Sequence, residues 1–250
     1  INSIINEETV LQLANMVKLF FMLSSFGMCC GYYEKIKNNN INLNEFYGKR
    51  YKKILPFFAL IVLAEVIFSG MTKKVFIEAF LDLTLMFGFL PKGNIEVVGV
   101  GWTLGVIFAF YVLFPFFVFL LWNKKRAWFV FGVALIMKFG CGKFFVNGDS
   151  IVMVNLLLWS VQFITGGLIF LYKDIVLDKL KNKIMQGAII LLSVGGLIVN
   201  GLYLQSNMIA EILLLLLFGM FIIYAISNKS FLLENKFIQI IGKYCLEIYL

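Results

Sequence analysis

The sequence predicts an all-α, polytopic transmembrane helix bundle. Of its 250 residues, 61% are hydrophobic and 14% are charged, whereas about 25% of a soluble domain is charged. The apolar residues form long unbroken runs rather than short alternating ones, which favours helices over a barrel. No internal repeat and no Pro/Ser-rich linker divides the chain, so residues 1–250 are expected to form one transmembrane domain.

Apolar runs predict about eight spans, since a helix needs roughly 20 such residues to cross a membrane. The spans are expected at residues 10–33, 54–70, 101–122, 127–146, 151–172, 187–204, 208–227 and 237–250. The run 75–90 is too short to cross, because sixteen helical residues reach only about 24 Å. It predicts one interfacial or re-entrant helix, with Glu78 and Asp82 on a single face that meets water.

Lysine and arginine positions predict the orientation of the bundle. For eight spans, most of them fall in the loops after the first, third, fifth and seventh, and such an excess marks the cytoplasmic face. Ile1 is then outside, and a chain that starts there without Met is expected to lack an upstream helix. The apolar run that stops at Leu250 is expected to be cut as well. This excess and anionic membrane lipid explain the net charge of +8 without a nucleic-acid partner.

The residue types exclude several kinds of chemistry. The chain contains no histidine, so no imidazole serves as base, nucleophile or metal ligand within these residues. Its cysteines form no CxxC pair, and without histidine they predict no metal site. They are expected to pack as small apolar side chains.

Four cations precede the second predicted span, in the segment 45–56 (EFYGKRYKKILP). We call them the basic collar: Lys49, Arg50, Lys52 and Lys53. On a helix they lie close to one another at the membrane surface. The collar either anchors the topology on anionic lipid or holds the phosphates of a cytosolic nucleotide-like cofactor by charge-assisted hydrogen bonds. Pro56 is expected in the first turn of the span that follows.

Small residues and charges inside the spans are further candidates. Gly27 and Gly31, and the Gly101 to Gly105 spacing, predict close helix packing. Glu65 is expected about 16 Å deep, where an ionised carboxylate costs at least about 2.5–3.5 kcal/mol. It is either a site residue, such as a proton acceptor, or a buried structural acid. Lys138, Glu211 and Glu247 are weaker candidates, because they are closer to span ends, where side chains can reach the surface. Lys18 lies inside the first predicted span.

Four phrases in order resemble the membrane-bound acyltransferase family 3. Residues 20–26 (FFMLSSF) resemble FFxLSGF, and 46–56 (FYGKRYKKILP) resemble FxxRRxxRIxP. Residues 102–115 (WTLGVIFAFYVLFP) resemble WSLxxExxFYLxFP, and 241–250 (IGKYCLEIYL) resemble LGxxSYxIYLxH. The chain departs from the family at four positions. Ser25 replaces a glycine, Lys49 and Lys53 replace arginines, and Ile107 replaces a common glutamate.

The resemblance implies an integral membrane O-acyltransferase, usually an O-acetyltransferase of bacterial plasma-membrane type that modifies surface polysaccharide. Its co-substrate would be cytosolic acyl-CoA, usually acetyl-CoA, with the CoA phosphates on the basic collar. The acceptor would be a hydroxyl of an extracytoplasmic carbohydrate, and Trp102 and Tyr111 would line the interior path. The helix with Glu78 and Asp82 would border the acceptor's route. The family's essential histidines would fall before Ile1 and after Leu250, which leaves Glu65 as the catalytic candidate among these residues.

Two alternatives stay open. A transporter or glycan flippase would also use a basic collar and an interior acid, although the paired broken helices of inverted repeats are not found. A non-catalytic member of the same family would explain Ile107 and the lysine substitutions. The sequence indicates no oligomeric state, acceptor or acyl chain length.

Overall fold

A computed structural model describes residues 7–70, 72–89, 101–145, 155–180, 182–203 and 208–227. Within these ranges the regular structure is helical and contains no strand, which confirms the all-α prediction. The helices are α1 (Glu7–Lys37), α2 (Leu43–Phe68), α3 (Lys73–Leu83), a 3₁₀ helix (Met86–Phe89), α4 (Trp102–Leu121), α5 (Lys124–Phe145), α6 (Leu156–Lys179), α7 (Lys183–Tyr203) and α8 (Met208–Ser227).

Five stretches among the described residues are long and apolar enough to cross a membrane. They are Asn15–Lys37, Trp102–Leu121, Leu156–Lys179, Lys183–Asn200 and Met208–Ser227. The predicted spans 54–70 and 127–146 fall on α2 and α5, which do not meet that measure, and 237–250 lies outside the described residues. Five of the predicted spans therefore fall on helices with the length and composition of a membrane span, while the count of eight stays a prediction. The 11 residues of α3 are too short to cross, as expected.

Polar caps, rather than the edges of apolar runs, set where helices begin. The Asn42 side chain accepts a hydrogen bond from the Asn44 amide (3.0 Å), so α2 begins at Leu43. Pro56 consequently lies inside α2, and its predicted place in a first turn was wrong. Asn155 caps α6 in the same way, which moves its start past the predicted residue 151.

The bundle has two distinct ends. We call one the basic end: α1, α4 and α6 finish there amid lysines, and the Tyr33 hydroxyl donates to the Leu121 carbonyl (3.3 Å). At the opposite end α4 and α6 begin, and the rings of Trp102 and Trp159 lie 5.7 Å apart. The basic end is the one that the charge distribution predicts to be cytoplasmic.

The main core is aromatic and is formed by α1, α4, α5, α6 and α8. Phe21, Phe163 and Phe110 stack, with ring centroids 5.1 Å and then 4.1 Å apart. Stacked and edge-to-face rings gain more than their buried area alone provides. α7 lies outside this core against α8, where Leu217 fills the space over Gly196.

A second core joins α2 and α3 to the other side of α4. Phe58 and Phe108 are fully or almost fully buried in it. Leu85 is also fully buried, in the turn after α3, with a left-handed φ of 56° that is uncommon outside glycine. That turn carries the 3₁₀ helix onto α4, where Gly88 meets the Gly105 backbone so closely that a Cβ would overlap it.

Glycines of α6 provide the tightest helix packing in the main core. A Cβ at Gly166 would overlap the Met22 carbonyl of α1, and one at Gly167 would overlap side chains of α4. The close packing predicted at Gly27 and Gly31 is not found among the described residues, since none of their atoms lies within 4 Å of a Cβ added at either position. These glycines face away from α6. Of the Gly101 to Gly105 spacing, Gly105 packs closely, as predicted, although against the 3₁₀ helix.

Candidate functional site

Arg50 is the one member of the basic collar whose side chain enters the bundle. Its guanidinium carbon lies 4.5 Å from the ring centroid of Tyr32, 5.5 Å from that of Tyr111 and 5.9 Å from that of Phe46. Its Nε is buried and has no hydrogen-bond acceptor among the described residues. Buried donors are nearly always paired in proteins. We call Arg50 and the rings of Tyr32, Tyr111 and Phe46 the Arg50 cage. The Nε–H of this cage can therefore donate to an anionic oxygen.

The three lysines of the collar are exposed. The Lys49 ammonium lies 2.6 Å from the Glu45 carboxylate. That hydrogen bond lowers the pKa of Glu45 and raises the pKa of Lys49, although an ion pair in water adds little to stability. The four cations thus share one helix without forming one cluster of side chains.

A second arginine at the basic end, Arg126, repeats the pattern. Its guanidinium carbon lies 4.2 Å from the Phe119 ring centroid, and its buried Nε also lacks an acceptor among the described residues. The sequence predicts Arg126 only as a topological charge. Its residue type could have singled it out. Arg50 and Arg126 are the only arginines in the chain, and arginine suits bidentate phosphate binding.

Trp102 and Tyr111 lie on the same helix but in different surroundings. Nine residues separate them, which is about 14 Å along α4. Tyr111 belongs to the Arg50 cage. Trp102 is at the opposite end, where its ring centroid lies 6.2 Å from that of Phe21. Their predicted role along an interior path stays a prediction, but the structure does bring Tyr111 and Arg50 together.

Aromatic rings connect the two ends through the interior. The distances between successive ring centroids run from 4.1 to 5.8 Å. We call this series the aromatic column: Trp159, Phe21, Phe163, Phe110, Phe114 and Phe46. The column begins beside Trp102 and ends at the Arg50 cage, so apolar groups fill the line between the two polar regions.

Glu65 lies near the end of α2, far from the collar. The Ser69 hydroxyl donates to its carboxylate (3.1 Å), and the side chain is half-buried. Fifteen residues separate it from Arg50, or about 22 Å of helix. It therefore belongs to the opposite end of the bundle, and its catalytic role stays a prediction.

Three charged residues form a buried cluster at the opposite end. We call Lys18, Lys138 and Glu211 the charged cluster. Lys18 pairs with one oxygen of Glu211, and Lys138 pairs with the other at 2.8 Å. Their side chains are only 12% to 17% exposed. The expectation that Lys138 and Glu211 reach the surface was wrong, because pairing across helices neutralises most of their charge inside the bundle.

Two amides extend the charged cluster. The Asn15 oxygen accepts a hydrogen bond from the Lys18 ammonium (2.8 Å). Gln162 is fully buried, and in the amide orientation that satisfies its neighbours its oxygen accepts from Lys138 (2.9 Å). Its nitrogen then donates to the Trp159 carbonyl (3.1 Å). The sequence does not predict this group, although a charge inside each of three apolar helices was a signal for it.

Asp82 is buried rather than facing water, which corrects the prediction for α3. It is 2% exposed, and its Oδ2 has no hydrogen-bond partner among the described residues. The face of α3 that carries Asp82 and Ala79 packs toward α2 and the 3₁₀ helix. Burial, with Glu78 adding a smaller effect, raises the pKa of Asp82 to about 7.

Comparison with known proteins adds one match. A family model described as an acyltransferase domain matches residues 9–250, which is nearly the whole chain and includes all four phrases quoted from the sequence. No curated protein and no solved structure matches the chain.

Proposed function

We propose that this chain, which belongs to the acyltransferase family 3 of membrane proteins, is an integral membrane O-acyltransferase. It transfers an acyl group, acetyl by preference, from cytosolic acyl-CoA to a hydroxyl of an extracytoplasmic carbohydrate. The family supports acyl transfer in a membrane. The donor and acceptor are those that the family resemblance implies, and the polar groups at the two ends of the bundle support them.

The Arg50 cage carries the assignment of the donor. Arg50 is half-buried at the basic end, and its buried Nε–H, which has no acceptor among the described residues, suits a phosphate oxygen, which accepts strong charge-assisted hydrogen bonds. The rings of Tyr32 and Tyr111 fix the guanidinium in place before a ligand arrives. The exposed lysines of the collar attract the remaining phosphate charge.

The reaction needs a proton acceptor and a route for the acyl group. The acceptor hydroxyl oxygen attacks the thioester carbonyl carbon, the C–S bond breaks, and CoA leaves as a thiol once its sulfur gains a proton. A base removes the hydroxyl proton. No histidine occurs in residues 1–250, so within them Glu65 is the candidate base. Trp102 and Tyr111 mark the two ends of the route along α4.

A transfer assay tests the proposal. The full-length protein is reconstituted in liposomes with labelled acetyl-CoA and surface polysaccharide from the organism that produces the protein. Alkali-labile label in the polysaccharide is the expected result, since O-acetyl esters hydrolyse in base.

Two other outcomes would overturn the proposal. Movement of a fluorescent lipid-linked glycan across the bilayer, with no label transferred, would identify a flippase. If there is neither label nor movement, although acetyl-CoA binds, the chain is a non-catalytic member of the family.

A further inference from the structure

An apolar groove lies between α5, α6 and α8. Its volume is about 400 Å³, which is within the range of pockets that hold small molecules. Trp128 of α5 and Leu216 of α8 line the groove, and both side chains are more than half exposed. Since α6 and α8 are long and apolar enough to cross a membrane, the groove is open to a ligand that comes from the bilayer.

The groove has the length of one membrane leaflet. It follows residues 165–176 of α6, which is about 16 Å of helix. Val176 is three residues from the end of α6 at the basic end, and Trp128 is one turn from the start of α5 at the same end. Half of a hydrocarbon core of about 30 Å is about 15 Å. The groove therefore suits one acyl chain of the leaflet on the basic side.

Polar groups line the groove where it meets the basic end. The indole Nε1 of Trp128 donates a hydrogen bond to the Tyr172 hydroxyl (3.1 Å), and both residues belong to the lining. The hydroxyl keeps its own hydrogen, which can be donated to a ligand. Farther from this end, Thr165 donates its hydroxyl to the Val161 carbonyl (2.7 Å), so the deeper part of the groove is apolar.

Positive charge adjoins the same end of the groove. The Lys124 ammonium lies 4.8 Å from the ring centroid of Tyr172, which lines the groove. Lys125 and Arg126 follow in the first turn of α5, where positive charge opposes the helix dipole and a nearby anion is favourable. Asp174 is exposed and lies about 200° around α6 from Tyr172, so it faces away.

We propose that this groove binds one anionic glycerophospholipid of the leaflet at the basic end. An acyl chain lies between α5, α6 and α8, and the phosphate accepts hydrogen bonds from the Lys124 ammonium and the Tyr172 hydroxyl. Trp128 lies at the level of the headgroups, where tryptophan is enriched. Basic pockets between transmembrane helices on the cytoplasmic side are typical sites for anionic headgroups.

Two lipids with the same chains and different headgroups test the proposal. The full-length protein in detergent is titrated with dioleoyl phosphatidylglycerol and with dioleoyl phosphatidylcholine, and native mass spectrometry measures the first binding step. We expect phosphatidylglycerol to bind about fivefold more tightly, the effect of one lysine close to an anionic headgroup. Equal binding of the two lipids overturns the proposal. The titration contains no acyl donor, so its result is independent of the transfer assay.

Lys124→Gln distinguishes this groove from the other cations of the basic end. The variant should bind phosphatidylglycerol about fivefold more weakly and phosphatidylcholine as before. Lys183→Gln is the matched control, because it removes an exposed cation from the first residue of α7. It should change either affinity less than about twofold. If both variants lose the same affinity, general surface charge holds the lipid and the proposal fails.

A variant that fills the groove tests the position of the acyl chain. Gly219 lines the groove, and a Cβ added there makes an ordinary contact with Ile169 at 3.8 Å. Gly219→Leu should weaken binding of both lipids about tenfold or more, because its side chain takes the space of several methylene groups. Gly187→Leu on α7, where no described atom lies within 4 Å of an added Cβ, should leave both affinities unchanged. Lys124→Gln leaves the packing intact and decides the proposal if the filled protein is unstable.

Two other occupants of the groove would give different results. Conversion of a dimer to a monomer by Gly219→Leu, with unchanged lipid affinity, would identify a second copy of the chain. A disulfide between Leu216→Cys and the natural Cys245 would identify residues 237–250 as the occupant. Either result overturns the assignment of the groove to a lipid.

Discussion

The hydroxyl of Ser25 donates a 2.6 Å hydrogen bond to the main-chain carbonyl of Phe163. This bond joins α1 to α6 one turn from Gly166, where the two backbones come closest. Ser25 stands where the related family phrase has glycine. The chain therefore keeps the close approach of the two helices, with the glycine on α6 and the hydroxyl on α1.

Removal of that hydroxyl should weaken the contact between the helices slightly. We expect Ser25→Ala to lower the free energy of unfolding by about 0.5–1.5 kcal/mol, because the Phe163 carbonyl keeps its bond within α6. Thermal unfolding in detergent measures the change. Ser24→Ala is the matched control and should have a smaller effect. Equal effects of the two variants would contradict a specific role for the Ser25 bond.

A methyl group at Gly166 should be far more disruptive. Gly166→Ala places a Cβ against the Met22 carbonyl, and overpacking of this kind costs about 1–3 kcal/mol. Gly132→Ala on α5, where open space surrounds the added atom, should be neutral or stabilising because alanine favours helix. Melting temperatures of the two variants test the close contact. A stable Gly166→Ala protein would show that the helices can separate without loss.

Substitutions of Arg50 and Lys52 should weaken acyl-CoA binding to different extents. Arg50→Gln removes the guanidinium that lies among the rings of Tyr32, Tyr111 and Phe46, and we expect acyl-CoA affinity to fall about tenfold or more. Lys52→Gln, which removes an exposed charge from the same helix, should change affinity less than about threefold. Titration calorimetry in nanodiscs measures both, and cysteine labelling checks topology. Unchanged affinity with altered topology in an Arg50→Gln, Lys53→Gln double variant would reduce the collar to an anchor.

Glu65→Gln tests the candidate base. The amide keeps an oxygen that can accept from Ser69, so the end of α2 should stay folded. We expect turnover to fall about a hundredfold, the usual contribution of a general base, with acyl-CoA affinity unchanged. Initial rates across a series of pH values give the measurement. A fully active variant would return Glu65 to a structural role.

Asp82 should make stability depend on pH. Its pKa is raised to about 7 in the folded protein, against about 3.9 in an unfolded chain. Between these values the folded protein keeps a proton that the unfolded chain has released, so the free energy of unfolding should fall as pH rises from about 4 to about 7. Above about pH 7 the free energy of unfolding should fall no further on account of Asp82.

The matched variants for this dependence are Asp82→Asn and Glu78→Gln. Asp82→Asn should flatten the fall in melting temperature over that range, whereas Glu78→Gln should preserve most of it because burial is the larger cause of the shift. Parallel pH profiles for the wild type and Asp82→Asn would rule out Asp82 as the titrating group.

Features set by local sequence were predictable. Long apolar runs predicted the five helices that have the length and composition of a membrane span, and the run around α3 was predicted to be too short to cross a membrane, as its 11 residues are. Contacts between distant helices were not predictable. Glu211 looked like a charge near a span end, because nothing in the sequence shows that Lys18 approaches it from 193 residues away. Asp82 looked solvated because the partner surface of α3 comes from other helices.

The packing glycines and the basic collar also show that local sequence does not predict contacts between helices. Gly27 and Gly31 have the spacing of a packing motif, yet the helix rotates them away from its neighbours. Spacing along one helix likewise grouped Lys49, Arg50, Lys52 and Lys53, while the rings of α1 and α4 decide that only Arg50 turns inward.

The aromatic column bears on the electrical properties of the membrane. Rings whose centroids lie 4.1 to 5.8 Å apart leave no room between them for a hydrated ion, and a bare ion in hydrocarbon is costly. A neutral acetyl group does not meet that electrostatic barrier. The protein at rest therefore adds no conductance along this line, and a transmembrane voltage persists across it.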